Sequence, residues 1–582
     1  MAAEVASPAT VRVCPLEELK RDLFKVISAE GRVILVLFHE GEVFSLDNRC
    51  PHMGFPLSQG TVREGILTCH WHHARFDLAG GCTLDPFADD VPAFATDVRD
   101  GVVFVDPHPI SGDKRGHALC KLNEGLEHGL NLVLAKSVIS LNELDASSEG
   151  LRQAAFFGLK NRAAGWSTGL SILTAMANVL PALTAEDRRL ALFHGVVHVA
   201  RSTANQSPDF DLEPLATRET RPERYVDWFR RFVDSRSEDA AERTLRTAIR
   251  IGLSQQVIAT MLFAACTDHL YMDVGHTLDF TNKAFELLDH IGWEHAEAVL
   301  PSLVPHLVSA QRMEESSSWR HPVDLPDLLH KVHGELDGLL SEGGGRRRGW
   351  DGHAQLAQTI LDGEPAKIIE ALTESLRSGV ALTDLSAAVA YAAALRPVHF
   401  HVSNEFGDWD TVHHTFTYTN AVDQALRRAP SSLLARGIFD GAMSVYLERF
   451  LNMPRQPLPS PSGQVTAGQL LAQFDVQGRV DETAQVVASL LAQGEHEVVV
   501  QTLGHALLRE DAGFHQFQIF EAGVRQYRRF AGTPPGDHVL LGVARFLAAH
   551  SPTVRATGQT FDIAARLHRG EALYANQQGG AN

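Results

Sequence analysis

Cysteine is scarce in this sequence. Six thiols among 582 residues (Cys14, Cys50, Cys69, Cys82, Cys120 and Cys266) cannot staple a chain of this length into a disulfide framework, so each is expected to bind metal or to pack as a small hydrophobe. Basic charge is also in deficit. The 52 Lys and Arg stand against 71 Asp and Glu, and a net charge of −19 gives no long-range pull toward phosphate backbones or anionic headgroups. Nucleic acid and membrane surfaces are therefore not expected partners. Long apolar runs are missing too: nothing approaches the roughly 20 residues needed to cross a bilayer. The opening MAAEVASPATVRV lacks the cationic stretch and apolar core of a secretory signal. A cytoplasmic protein is expected. Neither G-x-G-x-x-G after a strand nor G-x-x-x-x-G-K-[ST] occurs, which excludes the two commonest nucleotide-binding loops and implies that reducing equivalents come from a separate protein. What is abundant is apolar mass, 44% of the chain and enough for several cores, and histidine, with 29 residues.

Two textures divide the chain. Up to about residue 110 the pattern is of short strands: Val33 to Phe38, a turn at Glu40-Gly41, Glu42 to Leu46, and later Val102 to Val105. Beyond about Lys114 the sequence is rich in Ala and Leu with a 3.6-residue period, as in Arg224 to Val233 and Ala366 to Leu376. The expected fold class is multidomain, an N-terminal all-β module followed by a large all-α region built as a bundle or solenoid. The expected organisation is a β domain over 1–110, a first helical lobe over 111–341, a Gly/Arg linker over 342–349 (EGGGRRRG) and a second helical lobe over 350–582.

The β domain carries the sharpest motif. Cys50-Pro51-His52 is followed by Cys69-His70-Trp71-His72, so two loops each present a thiolate and then an imidazole. Two thiolates suit one iron and two neutral imidazoles the other, the ligand set of a Rieske [2Fe–2S] centre. The same four residues would also suit zinc, and the flanking sequence decides between them. CPHMGFPLSQG and LTCHWHHARFDLAGG resemble the Rieske ferredoxin and oxygenase-associated Rieske family over residues about 10–107. The resemblance implies a small antiparallel β fold with Cys50, His52, Cys69 and His72 holding the cluster at an exposed tip. High-potential members of that family have an extra cysteine in each loop, joined as a disulfide, and Ser and Tyr hydroxyls beside the cluster. Phe55, Trp71, Ala74 and Phe76 stand at those positions here. Without the hydroxyl donors the potential is expected toward the bottom of the Rieske range, roughly −150 mV.

A Rieske centre moves single electrons, so the chemistry must sit elsewhere. The carboxylate-x-x-His-x₄-His iron motif of Rieske oxygenases is absent. His290 and His295 have the imidazole spacing without the carboxylate, whereas Asp273 with His276 and Asp410 with His413 have the carboxylate without the second imidazole. Comparing the helical region with itself aligns three segments on a histidine: HTLDFTNKA at His276, HTFTYTNA at His414 and HQFQIFEA at His515. Asp410 precedes His414, and Asp511 precedes His515, by one helical turn; Asp273 precedes His276 by three residues. Each pair would share a helix face. His194 and His198 form a fourth group within LALFHGVVHVA, on a helix opened by the capping pattern at Thr184. This helix is apolar around most of its circumference, and burying imidazoles without partners costs on the order of 1–3 kcal/mol each. Two readings follow: the histidines hydrogen-bond neighbouring helices and fix their packing, or they converge on a pocket that binds iron or performs acid–base chemistry. The H-G-x-x-H element and the long helical body resemble the questin-oxidase-like family of helical oxygenases, which would imply oxygen insertion into a cyclic ketone.

Together these features predict an oxidoreductase, a Rieske-dependent monooxygenase. Its [2Fe–2S] cluster would feed electrons to a His-lined, non-haem iron site acting on a small organic substrate. The candidate catalytic residues are His194, His198, His276, His414, His515, Asp273 and Asp410, and the expected electron donor is an external NAD(P)H-dependent reductase or a ferredoxin. The alternative is a redox-gated electron carrier whose helical repeat docks a partner.

Overall fold

In the computed structural model, residues 10–110, 112–162, 165–344, 349–571 and 573 are described. The N-terminal β-sheet domain is made of three short antiparallel sheets. Val11–Pro15, Val102–Pro109 and Phe94–Arg99 pair in one; Phe24–Ala29, Arg32–His39 and Glu42–Asp47 form a meander; Thr61–Arg63, Ile66–Thr68 and Arg75–Asp77 form the third. The strand Arg32–His39 lies between two cores, because successive side chains of a strand point to opposite faces. Ile34 and Val36 pack with Cys14, Phe94, Val103 and Val105, whereas Leu35 and Leu37 pack with Leu46, Leu67, Phe76 and the two cysteines Cys50 and Cys69. Four consecutive residues are buried as a result, which is why this strand reads as an unbroken apolar run.

Beyond the sheets the protein is helical. Pro222–Asp234 and Pro365–Arg377 contain the segments whose periodicity predicts helix, and Thr184 caps Ala185–Thr203 by accepting from the Asp187 N–H at 3.2 Å. Among the described residues no helix is long and apolar enough to cross a membrane.

The chain falls into two compact units, one comprising residues up to Ala154 together with those from Gln559 onward, the other Ala155–Gly558. These divisions differ from boundaries at residues 110 and 342–349. The helices Lys114–His128 and Asn131–Glu143 belong with the β domain because they are bonded to it: His117 Nε2 reaches Asp89 Oδ1 at 2.6 Å, and Lys121 Nζ donates to the Ala88 carbonyl at 3.4 Å. Within the expected linker, Glu342 and Gly343 close the helix Leu325–Gly343 with Gly344 as its left-handed cap; residues 345–348 lie outside the described residues.

Candidate functional site

In the first unit, two loops with the same hydrogen-bond closure carry Cys50 and Cys69. Cys50 N–H donates to the Phe55 carbonyl at 2.8 Å while Gly54 N–H donates to the Cys50 carbonyl at 2.7 Å; Cys69 with Ala74, and His73 with Cys69, repeat this at 2.9 and 3.0 Å. The turn needs a left-handed residue at the fifth position, which is Gly54 (φ 81°) in one loop and His73 (φ 64°) in the other. His73 thus occupies a turn position. Both cysteines are buried, and their sulfurs share a hydrogen bond that raises the Cys50 thiol and lowers Cys69 to about 6. The His52 and His72 rings approach to 4.8 Å, and His52 Nδ1 is buried without a hydrogen-bond partner. Burial, the neighbouring His72 and Lys136 push His52 down to about 4, so it is neutral and able to ligate. All six cysteines are free. In place of a disulfide, Phe55 and Trp71 bring their rings to 5.9 Å across the two loops, and Trp71 lies 4.3 Å from the ring of His72.

In the second unit, three helices bring imidazoles together. His276 opens the helix His276–Ile291, His414 lies within Phe406–Arg428, and His515 stands in the first turn of Phe514–Arg529. One ring nitrogen from each lies within 4.8 Å of the others. Three successive residues before His276 have left-handed backbone, Asp273 (φ 52°), Val274 (φ 49°) and Gly275 (φ 96°). Val274 is strained there, as a β-branched residue disfavours positive φ. Gly275 is required: a Cβ at this position would meet Tyr418 Cβ at 2.8 Å.

Proton positions at the three histidines follow from their partners. Asp410 Oδ1 lies 2.9 Å from His515 Nδ1, and Nε2 of His515 faces Nε2 of His414 at 3.1 Å. A proton on Nδ1, donated to Asp410, leaves the Nε2 lone pair for the centre of the cluster. Burial would raise the Asp410 carboxyl, but the hydrogen bond from the His515 N–H outweighs it and holds the carboxyl below the usual range. Burial and the neighbouring imidazoles push His276 down to about 3 and His414 to about 4. Both are therefore neutral near pH 7. Phe280 and Phe514 form an apolar wall, with ring centres 5.5 and 5.6 Å from that of His276.

Not every expected residue joins this group. Asp511 caps another helix, accepting from the Ala556 and Thr557 N–H groups at 2.8 Å, and leaves His515 to Asp410. Asp273 stays in the left-handed turn, where its N–H donates to the Gln311 carbonyl at 2.8 Å. His194 Nε2 donates to the Leu508 carbonyl at 2.8 Å, and His198 bonds the backbone of Ala512, so both fix helix packing in this structure. His413, which follows Asp410 by three residues, is fully buried with neither ring nitrogen partnered and lies 4.9 Å, ring to ring, from His515.

Beyond the imidazoles, the facing helices carry a buried polar ladder. Gln518 donates to Asp279; Lys283 Nζ donates to Glu286 and Glu521, both at 2.9 Å; Arg525 reaches Glu521 at 2.9 Å and Glu286 at 3.2 Å. Asn178 bonds both carboxylates and His290. Burial pushes Asp279 up to about 7. On another side of the His414 helix, Thr415 bonds Tyr271, Ser444 and Glu448, and burial lifts Glu448 from 4.5 to about 8. Folded protein therefore keeps a proton that the unfolded chain has lost. Stability falls as pH rises from 4.5 toward 8, by roughly 3 kcal/mol at pH 7. Glu448→Gln is expected to remove this dependence: Tm measured at about pH 5 and about pH 8 should differ less than in the parent. An unchanged difference would show that Glu448 is ionised in the fold.

Comparison with known proteins decides the first site. The profile of the Rieske [2Fe-2S] domain family matches residues 9–95. Residues 9–95 are a Rieske domain. It binds a [2Fe–2S] cluster, and the orphaned His52 Nδ1, the paired sulfurs and the two neighbouring imidazoles fit that group. The Rieske domain is similar to the ferredoxin component of the alkene monooxygenase system of Xanthobacter autotrophicus, with 29% identity over 109 residues, 19% of this chain and 88% of that one. It is also similar to the oxygenase component of 3-ketosteroid-9-alpha-monooxygenase from Mycolicibacterium smegmatis, at 42% over 79 residues, and to human apoptosis-inducing factor 3, at 29% over 94. The chain spans 21% and 16% of the length of those two relatives, and the likeness is confined to the Rieske domain.

Proposed function

We propose that the protein is an oxygen-dependent oxidoreductase, a Rieske monooxygenase whose second site is a non-haem iron held by His276, His414 and His515. The observation that carries this reading is the hydrogen bond from His515 to Asp410. It fixes one tautomer and aims an imidazole lone pair at two further neutral imidazoles, the carboxylate–histidine arrangement that orients metal ligands. Imidazole suits iron, zinc and copper alike, and the Rieske domain favours the redox-active choice. Iron there would supply oxygen activation. Phe280 and Phe514 would exclude water and contact the apolar part of a small organic substrate. The cluster delivers one electron at a time, so inserting one oxygen atom and releasing the other as water needs two reductions of the cluster and two protons. Those electrons would come from an NAD(P)H-dependent reductase or a ferredoxin in the cytoplasm. Names of relatives that match the Rieske domain, among them a 4beta-methylsterol monooxygenase and a cholesterol 7-desaturase, support oxidative chemistry.

The test is metal content. Protein purified anaerobically should contain iron beyond that of the cluster, and nitric oxide should produce a high-spin ferrous nitrosyl resonance beside the Rieske signal. Iron accounted for wholly by the cluster, with no nitrosyl signal, would overturn the non-haem iron reading.

A further inference from the structure

Lys136 is the least expected neighbour of the cluster. It lies on the helix Asn131–Glu143, beyond the residues that match the Rieske family, yet within the same compact unit. Its Nζ donates to the carbonyl of Pro51 and reaches that of His52 at 3.5 Å, so the ammonium sits against the loop that carries two of the four ligands. Among the described residues Lys136 forms no ion pair. Burial pulls the Lys136 ammonium below its usual range, and the negative charges of Asp89 and of a Cys50 thiolate oppose that shift. An ammonium removed from water without a carboxylate partner is costly, and two carbonyl oxygens offset only part of that cost. Asp89 is the nearby opposing charge, engaged with His117 at 2.6 Å.

Cluster chemistry supplies what the lysine lacks. With two thiolates and two neutral imidazoles, the oxidised cluster carries no net charge, and taking up one electron gives it a single negative charge. A fixed cation beside the ligand loop, in a medium of low dielectric, stabilises the reduced form more than the oxidised one. We propose that Lys136 sets the reduction potential of the Rieske cluster, raising it above the value its hydroxyl-free ligand loops would give. Lys136 is a positioning residue that acts through the Pro51 and His52 carbonyls, and it touches no reacting atom. The inference stands on the cluster alone and is independent of the metal proposed at His276, His414 and His515.

A spectroelectrochemical titration of the full-length protein tests it, with iron content and the Rieske resonance confirming an intact cluster. Lys136→Met should lower the equilibrium constant for one-electron reduction about tenfold, a shift of about 59 mV to more negative potential. Lys136→Arg should stay close to the parent, and Asp89→Asn, which removes the opposing charge, should shift the potential the other way. An unchanged potential in Lys136→Met, or an equal shift in Lys136→Arg, overturns the proposal. If Lys136→Met fails to hold a cluster, Lys136→Gln, which keeps a hydrogen-bond donor and loses the charge, decides: a negative shift supports the proposal and none refutes it.

Discussion

His414→Ala is expected to abolish both the second metal and substrate-dependent oxygen uptake while leaving the Rieske resonance unaltered. The side chain lies beside both His276 and His515, with its Nε2 3.1 Å from that of His515, so alanine removes one of the three proposed ligands and opens the centre of the group. Asp410→Asn should act more mildly. It keeps the three imidazoles but loses the acceptor that fixes the His515 tautomer, and metal affinity should fall by about 10–100-fold. His194→Ala is the control. It leaves the Leu508 carbonyl without its donor and should cost about 1–3 kcal/mol of stability, with metal content unchanged. If His414→Ala merely lowers Tm as His194→Ala does and retains its metal, the imidazoles serve packing and the catalytic reading fails.

Glu521→Ala should be the most destabilising single change in the second unit. Its buried carboxylate accepts from Lys283, Arg525 and Asn178. Truncation leaves Lys283 charged in the core with only Glu286 for company, and breaking a buried pair in this way costs about 3–5 kcal/mol. The remaining pair also sets an acid limit. Burial would raise Glu286, but Lys283 and Arg525 overcome it and hold the carboxyl down to about 2. A depressed carboxylate contributes stability that is complete above pH 4.5 and lost as pH falls through about 2. Denaturant unfolding of the parent and of Glu521→Ala measures the difference directly. A loss below about 1 kcal/mol would mean that water reaches the ladder.

What the sequence makes legible is what is local. Cys50, His52, Cys69 and His72 sit in two short loops, and the hairpin Arg32–His39 with Glu42–Asp47 follows from a short apolar run, one Glu-Gly turn and a second strand-like segment. The three aligned histidines could be found because each stands on its own helix in a similar apolar setting. Their partners could not, since those lie across helices: Asp410 belongs to His515 rather than to His414, one turn along its own helix, and Asp511 is consumed in capping Ala556–His568. His194 and His198 look identical in sequence to ligands, but carbonyls some 314 residues away satisfy them. One signal was readable. His276, Asp279, Lys283, Glu286 and His290 recur at three- and four-residue steps, which places a titratable stripe on one face of the helix. Lys136 carried no comparable mark, because a single lysine on an amphipathic helix is ordinary until the loop beside it is known.

The chain leaves the first unit at Ala154 and returns to it at Gln559, which has a consequence for biosynthesis. Domains emerging from the ribosome usually close in order from the amino end. Here the cavity of about 220 Å³ beside Cys50 acquires the part of its wall formed by Leu567, His568 and Glu571 only after some four hundred intervening residues have been translated. The first unit is therefore complete only once the helical insert has been made.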